Sequence, residues 1–479
     1  MRATHTSTLL GVLSSVTLLS LGACSDNTSS VSTSSAAPTT VATADSSVAT
    51  DGTAATQTTV AGAPGQPPGG AGGQTSAPDY AGSDTGLTLS GGSQSASGET
   101  FTADTDDTTA VLVTGGGTLT LTDVVVSTTG ASSSSDSSSF YGLDSGILAT
   151  EGSSITMTGG SVTTSGDGAN AIFATGDGAT VTLSGVIVSA TGQYAHGIMA
   201  TQGGTLVATD VQIDTAGANA AAVATDRGSG TITVVGGSAT TSGQDSPGLY
   251  STGVLDVTGM TIVATGSECA VIEGSNSITL ADTDMTCSQK SGVMIYQSMS
   301  GDAEGVDGVF TMTGGSLTAA AGPLFYVTNT NAEITLTGAD LTASSGVLLD
   351  ASAGNWGSDG ANGGAATLAG DGQVLTGDVT VDSISTVNIV LANGSAWTGA
   401  LDTANAGGTT SVTLDATSTW TLTADSYVGA LAGLALSGTS VTNVVGNGHT
   451  LYYDATDAAN SALTGATYTL SGGGTLTPA

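Results

Sequence analysis

The sequence predicts an all-β chain folded as a right-handed parallel β-helix, a solenoid built from three-strand coils. Three observations lead to this fold class. Short apolar motifs recur at spacings of 22 to 31 residues, a strand with strict period-two alternation follows each motif, and Gly or Asp closes that strand. Composition agrees, because Gly accounts for 73 of 479 residues while only 9% are charged and 4% are aromatic.

The amino terminus predicts an export signal over residues 1–23. Arg2 precedes an apolar run that is too short for a membrane-spanning helix of the mature protein. The run ends at Leu21-Gly22-Ala23-Cys24, which resembles the bacterial lipobox. That resemblance implies cleavage before Cys24, acylation of its thiol and a lipid anchor in the membrane, with the exported protein held at the bacterial cell surface.

Residues 24–83 lack hydrophobic periodicity and are rich in Ser, Thr, Ala and Gly, with a proline knot at Pro64–Gly70. Such composition is typical of a disordered tether. A chain of this length could be pulled to on the order of 200 Å. We therefore expect the folded part to stand away from the membrane.

The coils begin after this tether. Each opens with a motif such as GILAT at Ile147 or GIMAT at Ile198, and continues with an alternating strand such as TLTLT at Thr118. Alternate residues of a strand share one face, so stacked coils should form continuous interior columns. The residues predicted for two such columns are Leu119/Leu121, Ile155/Met157, Val181/Leu183, Ile232/Val234, Ile278/Leu280, Phe310/Met312 and Ile334/Leu336.

Gly or Asp follows each alternating strand, and both residue types tolerate the left-handed backbone of a sharp corner. The predicted corners are Asp123, Gly159, Gly185, Asp210, Gly236, Gly259, Asp282, Gly314 and Gly338. A third short strand completes each coil. A right-handed winding is expected because parallel crossovers favour it, and a coil too small to bury its own apolar residues needs neighbours on both sides.

These coils resemble the pectin-lyase-like right-handed β-helix superfamily, and we assign residues 84–400 to the β-helix. Residues 401–479 are assigned to carboxy-terminal coils and a cap. The region around Trp397 and Trp420 is similar to the end of pertactin-like autotransporter passengers. The resemblance implies a surface-displayed rod, often an adhesin.

The acidic charge excludes nucleic acid as a partner, and the scarcity of basic residues argues against lyase activity. The formal net charge of −36 opposes nucleic acid. The lyases that the coils resemble work with clustered carboxylates and a basic residue, but Arg227 and Lys290 lie 63 residues apart. His196 and His449 stand alone in the sequence and are expected at the surface or at a cap. No catalytic residue is assigned, and we expect no enzymatic activity and no resident metal or cofactor.

Two insertions follow the first strand of coils that lie two apart, at Gln297–Gly308 and Ser352–Gly364. Both should emerge from one edge of the solenoid. An exposed Trp offers an apolar face for a sugar ring, and acidic side chains offer hydrogen-bond acceptors or calcium ligands. The candidate ligand-binding residues are Asp302, Glu304, Asp307, Asn355, Trp356 and Asp359. The alternative is that these are solvated loops with the Trp folded back on the solenoid.

Cys269 and Cys287 are the remaining cysteines, and an exported protein permits a disulfide between them. Their alignment in successive coils is compatible both with a disulfide bond and with two free thiols. The same alignment places Lys290 beside Glu268.

The function predicted from these patterns is a monomeric, non-catalytic surface rod that binds polysaccharide or a host-surface ligand. Two other classes stay open. One is a polysaccharide-degrading enzyme with an unrecognised carboxylate pair, and the other is a structural spacer.

Overall fold

The computed structural model describes residues 76–479. The predicted signal peptide, the lipidation site at Cys24 and the tether up to residue 75 lie outside the described residues. The described chain is a parallel β-solenoid of about 16 turns with 3% helix and 51% strand. The predicted fold class, an all-β parallel β-helix, is confirmed. None of the helices in the described part is long and apolar enough to span a membrane.

The first sheet has 12 strands, one from each successive coil, and neighbouring strands are parallel. Its first strand begins three residues before the predicted boundary at 84. Its strands are Ala81–Ser90, Thr108–Thr114, Ile147–Ala149, Ile172–Thr175, Ile198–Thr201, Val223–Thr225, Leu249–Ser251, Ala270–Glu273, Val293–Tyr296, Phe325–Thr328, Val347–Ala351 and Asp378–Val381.

The second sheet has 14 strands and contains the alternating segments. Its strands are Ser93–Ser97, Thr118–Thr122, Ser154–Thr158, Thr180–Ser184, Thr205–Thr209, Thr231–Val235, Val254–Thr258, Ser277–Ala281, Asp307–Thr313, Asn331–Thr337, Ala365–Asp371, Thr386–Ala392, Thr409–Leu414 and Ala430–Ala432. All the residues predicted for the two interior columns are at most 1% exposed. Their register is also as predicted, since Leu119 pairs with Ile155 and Ile155 with Val181.

The third sheet has 10 strands and ends earlier, where a fourth sheet begins at Val374. The strands of the third sheet are Thr100–Ala103, Val125–Thr128, Ser161–Thr164, Ile187–Ala190, Gln212–Thr215, Ser238–Thr241, Thr261–Ala264, Asp284–Cys287, Ser316–Ala319 and Asp340–Ala343. Those of the fourth are Val374–Thr376, Ala396–Thr398, Thr419–Thr421, Ser426–Val428, Leu436–Ser437, Ser440–Val445, Thr450–Tyr453, Tyr468–Ser471 and Thr475–Pro478. A 3₁₀ helix, Ala458–Leu463, lies near the end of the chain.

The corner after the second-sheet strand has a left-handed backbone at all nine predicted positions. Asp123 at one corner faces Gly159 at the next, and a Cβ on Gly159 would lie 2.2 Å from the Asp123 carboxylate. The same relation holds between Asp210 and Gly236, at 2.4 Å. The Asp side chain therefore occupies the space that the glycine of the following coil leaves open, which explains why Gly follows Asp in this column.

The interior continues into the carboxy-terminal coils. Trp397 and Trp420 stack with ring centroids 4.7 Å apart and planes 6° apart, and both are almost fully buried. Each indole N–H donates to a backbone carbonyl, Gly377 and Gly399 respectively, at 2.9 Å. The two rings extend the apolar core to the region where the third sheet has ended.

Candidate functional site

Most strands of the first sheet, such as Ile172–Thr175 and Ile198–Thr201, are buried on both faces, which distinguishes this sheet from the second and third sheets. Leu148, Phe173 and Met199 point away from the interior columns and form an outer apolar cluster with Tyr80 and Tyr250. The cover includes the short helix Ser135–Tyr141, whose Tyr141 carbonyl accepts a hydrogen bond from Tyr80 at 2.9 Å. The paired apolar residues of the coil motifs are therefore explained by burial on both sides of the sheet.

Farther along the same face the two predicted insertions provide the cover. Trp356 packs against Tyr296 with ring centroids 4.7 Å apart, and both join an apolar cluster with Val271, Met294 and Tyr326. Trp356 is thus partly buried, and of the two alternatives left open by the sequence, the Trp folded back on the solenoid is the one observed. The indole packs onto the first sheet because the outward-facing side chains beneath it are themselves hydrophobic.

A buried acid fixes the first insertion to the sheet. Glu273 is 0% exposed, and its Oε2 accepts hydrogen bonds from the hydroxyls of Tyr250 and Tyr296, each at 2.7 Å. The Ser298 hydroxyl donates to the other carboxylate oxygen. Burial raises the pKa of both tyrosines well above the usual range, so they remain donors.

The Asp302 side chain of the first insertion is buried. Its carboxylate accepts a hydrogen bond from Arg227 Nη2 at 2.8 Å and another from the Ser300 hydroxyl at 2.8 Å, and its side chain is 3% exposed. The guanidinium of Arg227 lies 3.9 Å from the centre of the Phe140 ring. Arg227 therefore joins the helix Ser135–Tyr141 to the first insertion, two elements that cover neighbouring parts of the sheet.

An open cleft of about 970 Å³ lies beside this ion pair, and we name it the Arg227 cleft. Polar groups predominate among its lining side chains. They are Ser76, Tyr141, Gln202, Arg227, Ser229, Thr252, Ser275, Asn276, Asp302 and Glu304. Most of these residues follow a first-sheet strand at the corner toward the second sheet, so successive coils place side chains along one line.

Asp226 is 4% exposed, and burial, reinforced by the charge of Asp302, raises its pKa well above the usual range. Its Oδ1 accepts a hydrogen bond from the Arg227 backbone N–H at 2.7 Å. A buried acid with a raised pKa therefore neighbours the carboxyl group of Asp302, which is paired with a guanidinium.

The six candidate ligand-binding residues do not form one site. Asp302 and Glu304 line the Arg227 cleft, whereas Asp307 belongs to a second-sheet strand and accepts a hydrogen bond from Asn331 at 2.8 Å. Asn355 and Asp359 are exposed on the second insertion. Within residues 76–479 no group of three or more His, Cys, Asp or Glu side chains is placed to hold a metal ion.

Cys269 and Cys287 form a disulfide with their Cα atoms 5.1 Å apart.

His196 is buried, so the expectation of a surface histidine is wrong. Its Nδ1 accepts a hydrogen bond from the Ala221 N–H at 3.0 Å, and burial lowers its pKa to about 4. The imidazole is a neutral member of a corner column, below Asn170, whose side-chain oxygen accepts from the His196 N–H.

The sequence did not predict the contacts of Arg227, Asp226 and Glu273. It also did not predict the aromatic cluster of Tyr296 and Tyr326 beneath Trp356. The ion pair joins residues 75 positions apart, and no local pattern marks that contact. The aromatic cluster could have been anticipated from the sequence, because adjacent apolar residues in the first strand of each coil indicate burial on both faces.

The chain was compared with protein-family models, curated proteins and solved structures. No family model, no curated protein and no solved structure matches it.

Proposed function

We propose that this protein is a bacterial surface lipoprotein whose β-helix binds a neutral polysaccharide in the Arg227 cleft. The observation that carries the proposal is the cleft itself, an open space of about 970 Å³ lined by polar side chains from successive coils. A glycan presents hydroxyl groups at regular intervals, and Gln202, Asn276 and Glu304 offer donors and acceptors at intervals along the same line.

Charge favours a neutral ligand over an acidic one. The net charge is −36, and Arg227, the one basic residue that lines the cleft, is paired with Asp302. An anionic polysaccharide would meet a repulsive field. The remaining parts of the proposal come from sequence: the lipid anchor at Cys24, display at the cell surface, a monomeric state, and kinship with pectin-lyase-like and pertactin-like β-helices.

The test is an array of neutral and acidic polysaccharides probed with the purified protein, with and without calcium. We expect calcium-independent binding to one or more neutral glycans. Gln202→Ala and Asn276→Ala should weaken that binding at least tenfold. Thr335→Ala, on the exposed face of the second sheet, is the matched control and should leave binding unchanged. Equal binding by all variants would refute this site.

One observation supports a second candidate, a glycan-degrading enzyme. Asp226 and Asp302 are neighbouring carboxyl groups in unlike surroundings: burial raises the pKa of Asp226, whereas Asp302 is paired with Arg227, and acid and base catalysts are commonly placed in such differing environments. Assay of the array ligands for reducing-sugar release tests it. Release that disappears in Asp226→Asn would establish hydrolysis, and binding without release would reject it.

A further inference from the structure

A cation lies between two acids at one corner of the solenoid, and the arrangement differs from an ordinary surface ion pair. Lys290 is the only lysine in the chain. Its Nζ contacts Asp245 Oδ1, and Glu268 Oε2 lies 3.8 Å from the same nitrogen. These three residues come from three successive coils, with Glu268 on the middle one.

The three side chains are shielded from water. Lys290 and Asp245 are 17% and 15% exposed, and Glu268 is 2% exposed. Burial raises the pKa of Glu268 against the opposing charge of Lys290, and the Ser267 hydroxyl donates to Glu268 Oε2 at 2.5 Å. Glu268 is thereby positioned as a buried carboxyl group beside an amine and a second carboxyl group.

The backbone holds the reacting groups toward each other. Asp245 and Lys290 both have left-handed backbones, with φ of 56° and 58°. Glu268, at the corner of the middle coil, does not have a left-handed backbone. The strands on either side are in fixed register, so the Lys290 side chain crosses the middle coil and ends at Asp245. A preset approach of this kind lowers the entropic barrier to a bond between the two.

We propose that Lys290 and Asp245 are the site of an intrachain amide cross-link, with Glu268 relaying the proton. The Nζ of Lys290 attacks Cγ of the Asp245 carboxyl group, which forms an Nζ–Cγ bond. Glu268 accepts a proton from nitrogen and delivers one to the departing hydroxyl, which leaves as water when the Cγ–O bond breaks. The net change is loss of one water, about 18 Da, with no oxidant or co-reactant.

The bond would close a loop of 45 residues over three coils. It would lie close to the Cys269–Cys287 disulfide, which joins two of the same coils. A solenoid separates most easily between coils, because each coil contacts only its neighbours. Two covalent links at one corner would hold this part of the rod together under a pulling force.

The test uses the one lysine of the chain. The purified full chain is reduced, denatured and treated with a protease that cleaves only after lysine. A free Lys290 gives one cut before Ser291, whereas an acylated Lys290 gives none. We expect no cut, and an intact chain whose mass is about 18 Da below that of the same chain without the cross-link.

Variants separate the cross-link from any other modification of the lysine. Asp245→Ala and Glu268→Gln should each restore the single cut, whereas Glu333→Gln, an exposed acid on the second sheet, should stay uncut. Complete cleavage of the wild-type chain at Lys290 would overturn the proposal. An uncut Asp245→Ala chain would do so as well, because it would show that another group blocks the lysine.

Discussion

Replacing Asp302 with Ala should lower the free energy of unfolding by about 3 kcal/mol and release the first insertion. The carboxylate receives a charge-assisted hydrogen bond from Arg227 and a second bond from Ser300, each 2.8 Å long. These contribute about 2 to 4 kcal/mol together. Loss of a partner from a fully buried ion pair costs about 3 to 5 kcal/mol.

The expected cost lies at the lower end of that range for two reasons. The Arg227 side chain is 18% exposed, so water partly solvates the charge that is left behind. The guanidinium also keeps its contact with the Phe140 ring at 3.9 Å. Both effects reduce the penalty of an unpaired cation.

Urea unfolding followed by circular dichroism measures the change in free energy, and amide hydrogen exchange over residues 297–306 measures release of the insertion. Glu304→Gln is the matched control, because Glu304 lies on the same loop and is exposed. It should change stability by less than about 0.5 kcal/mol. A similarly small change in Asp302→Ala, with unaltered exchange in the insertion, would refute the role given to this ion pair.

Three further outcomes can be measured with the same unfolding assay. Trp420→Ala should cost about 4 kcal/mol, because Trp420 is fully buried and stacked on Trp397; a cost below about 1 kcal/mol would contradict that packing. Reduction of the Cys269–Cys287 disulfide, which links residues 18 apart, should cost about 3 kcal/mol, and reductant should have no effect on Cys287→Ala. Burial raises the pKa of Asp144 to about 7, so the folded state binds the extra proton, and this contribution to stability is full below about pH 4 and lost as pH rises through 7. The slope of stability against pH in that window should decrease in Asp144→Asn, and an unchanged slope would rule out the assignment.

The solenoid could be predicted from sequence because its determinants are local and repeated. A residue such as Leu119 alternates with exposed threonines in every coil, and a corner such as Asp123 needs a left-handed backbone that Gly and Asp tolerate. The positions of the two insertions were also local information, since each interrupts the spacing between two strands of known type.

The candidate site could be predicted only in part, because contacts across coils decided it. The sequence around Asp302 does not indicate that Asp302 pairs with Arg227, because the two residues are 75 positions apart in the chain. Trp356 could have been exposed or folded back, and the decisive factor was Tyr296 on the sheet beneath it. His196 is similar, because burial in a corner column depends on the Ala221 N–H of the next coil.

The most direct test of the account is hydrogen exchange of the purified protein with and without the neutral polysaccharide that binds best on the array. We expect protection at the amides of residues 226–229, 275–276 and 301–304, which border the Arg227 cleft. Protection confined to the exposed threonine face of the second sheet, or spread evenly over the coils, would contradict the cleft as the binding site.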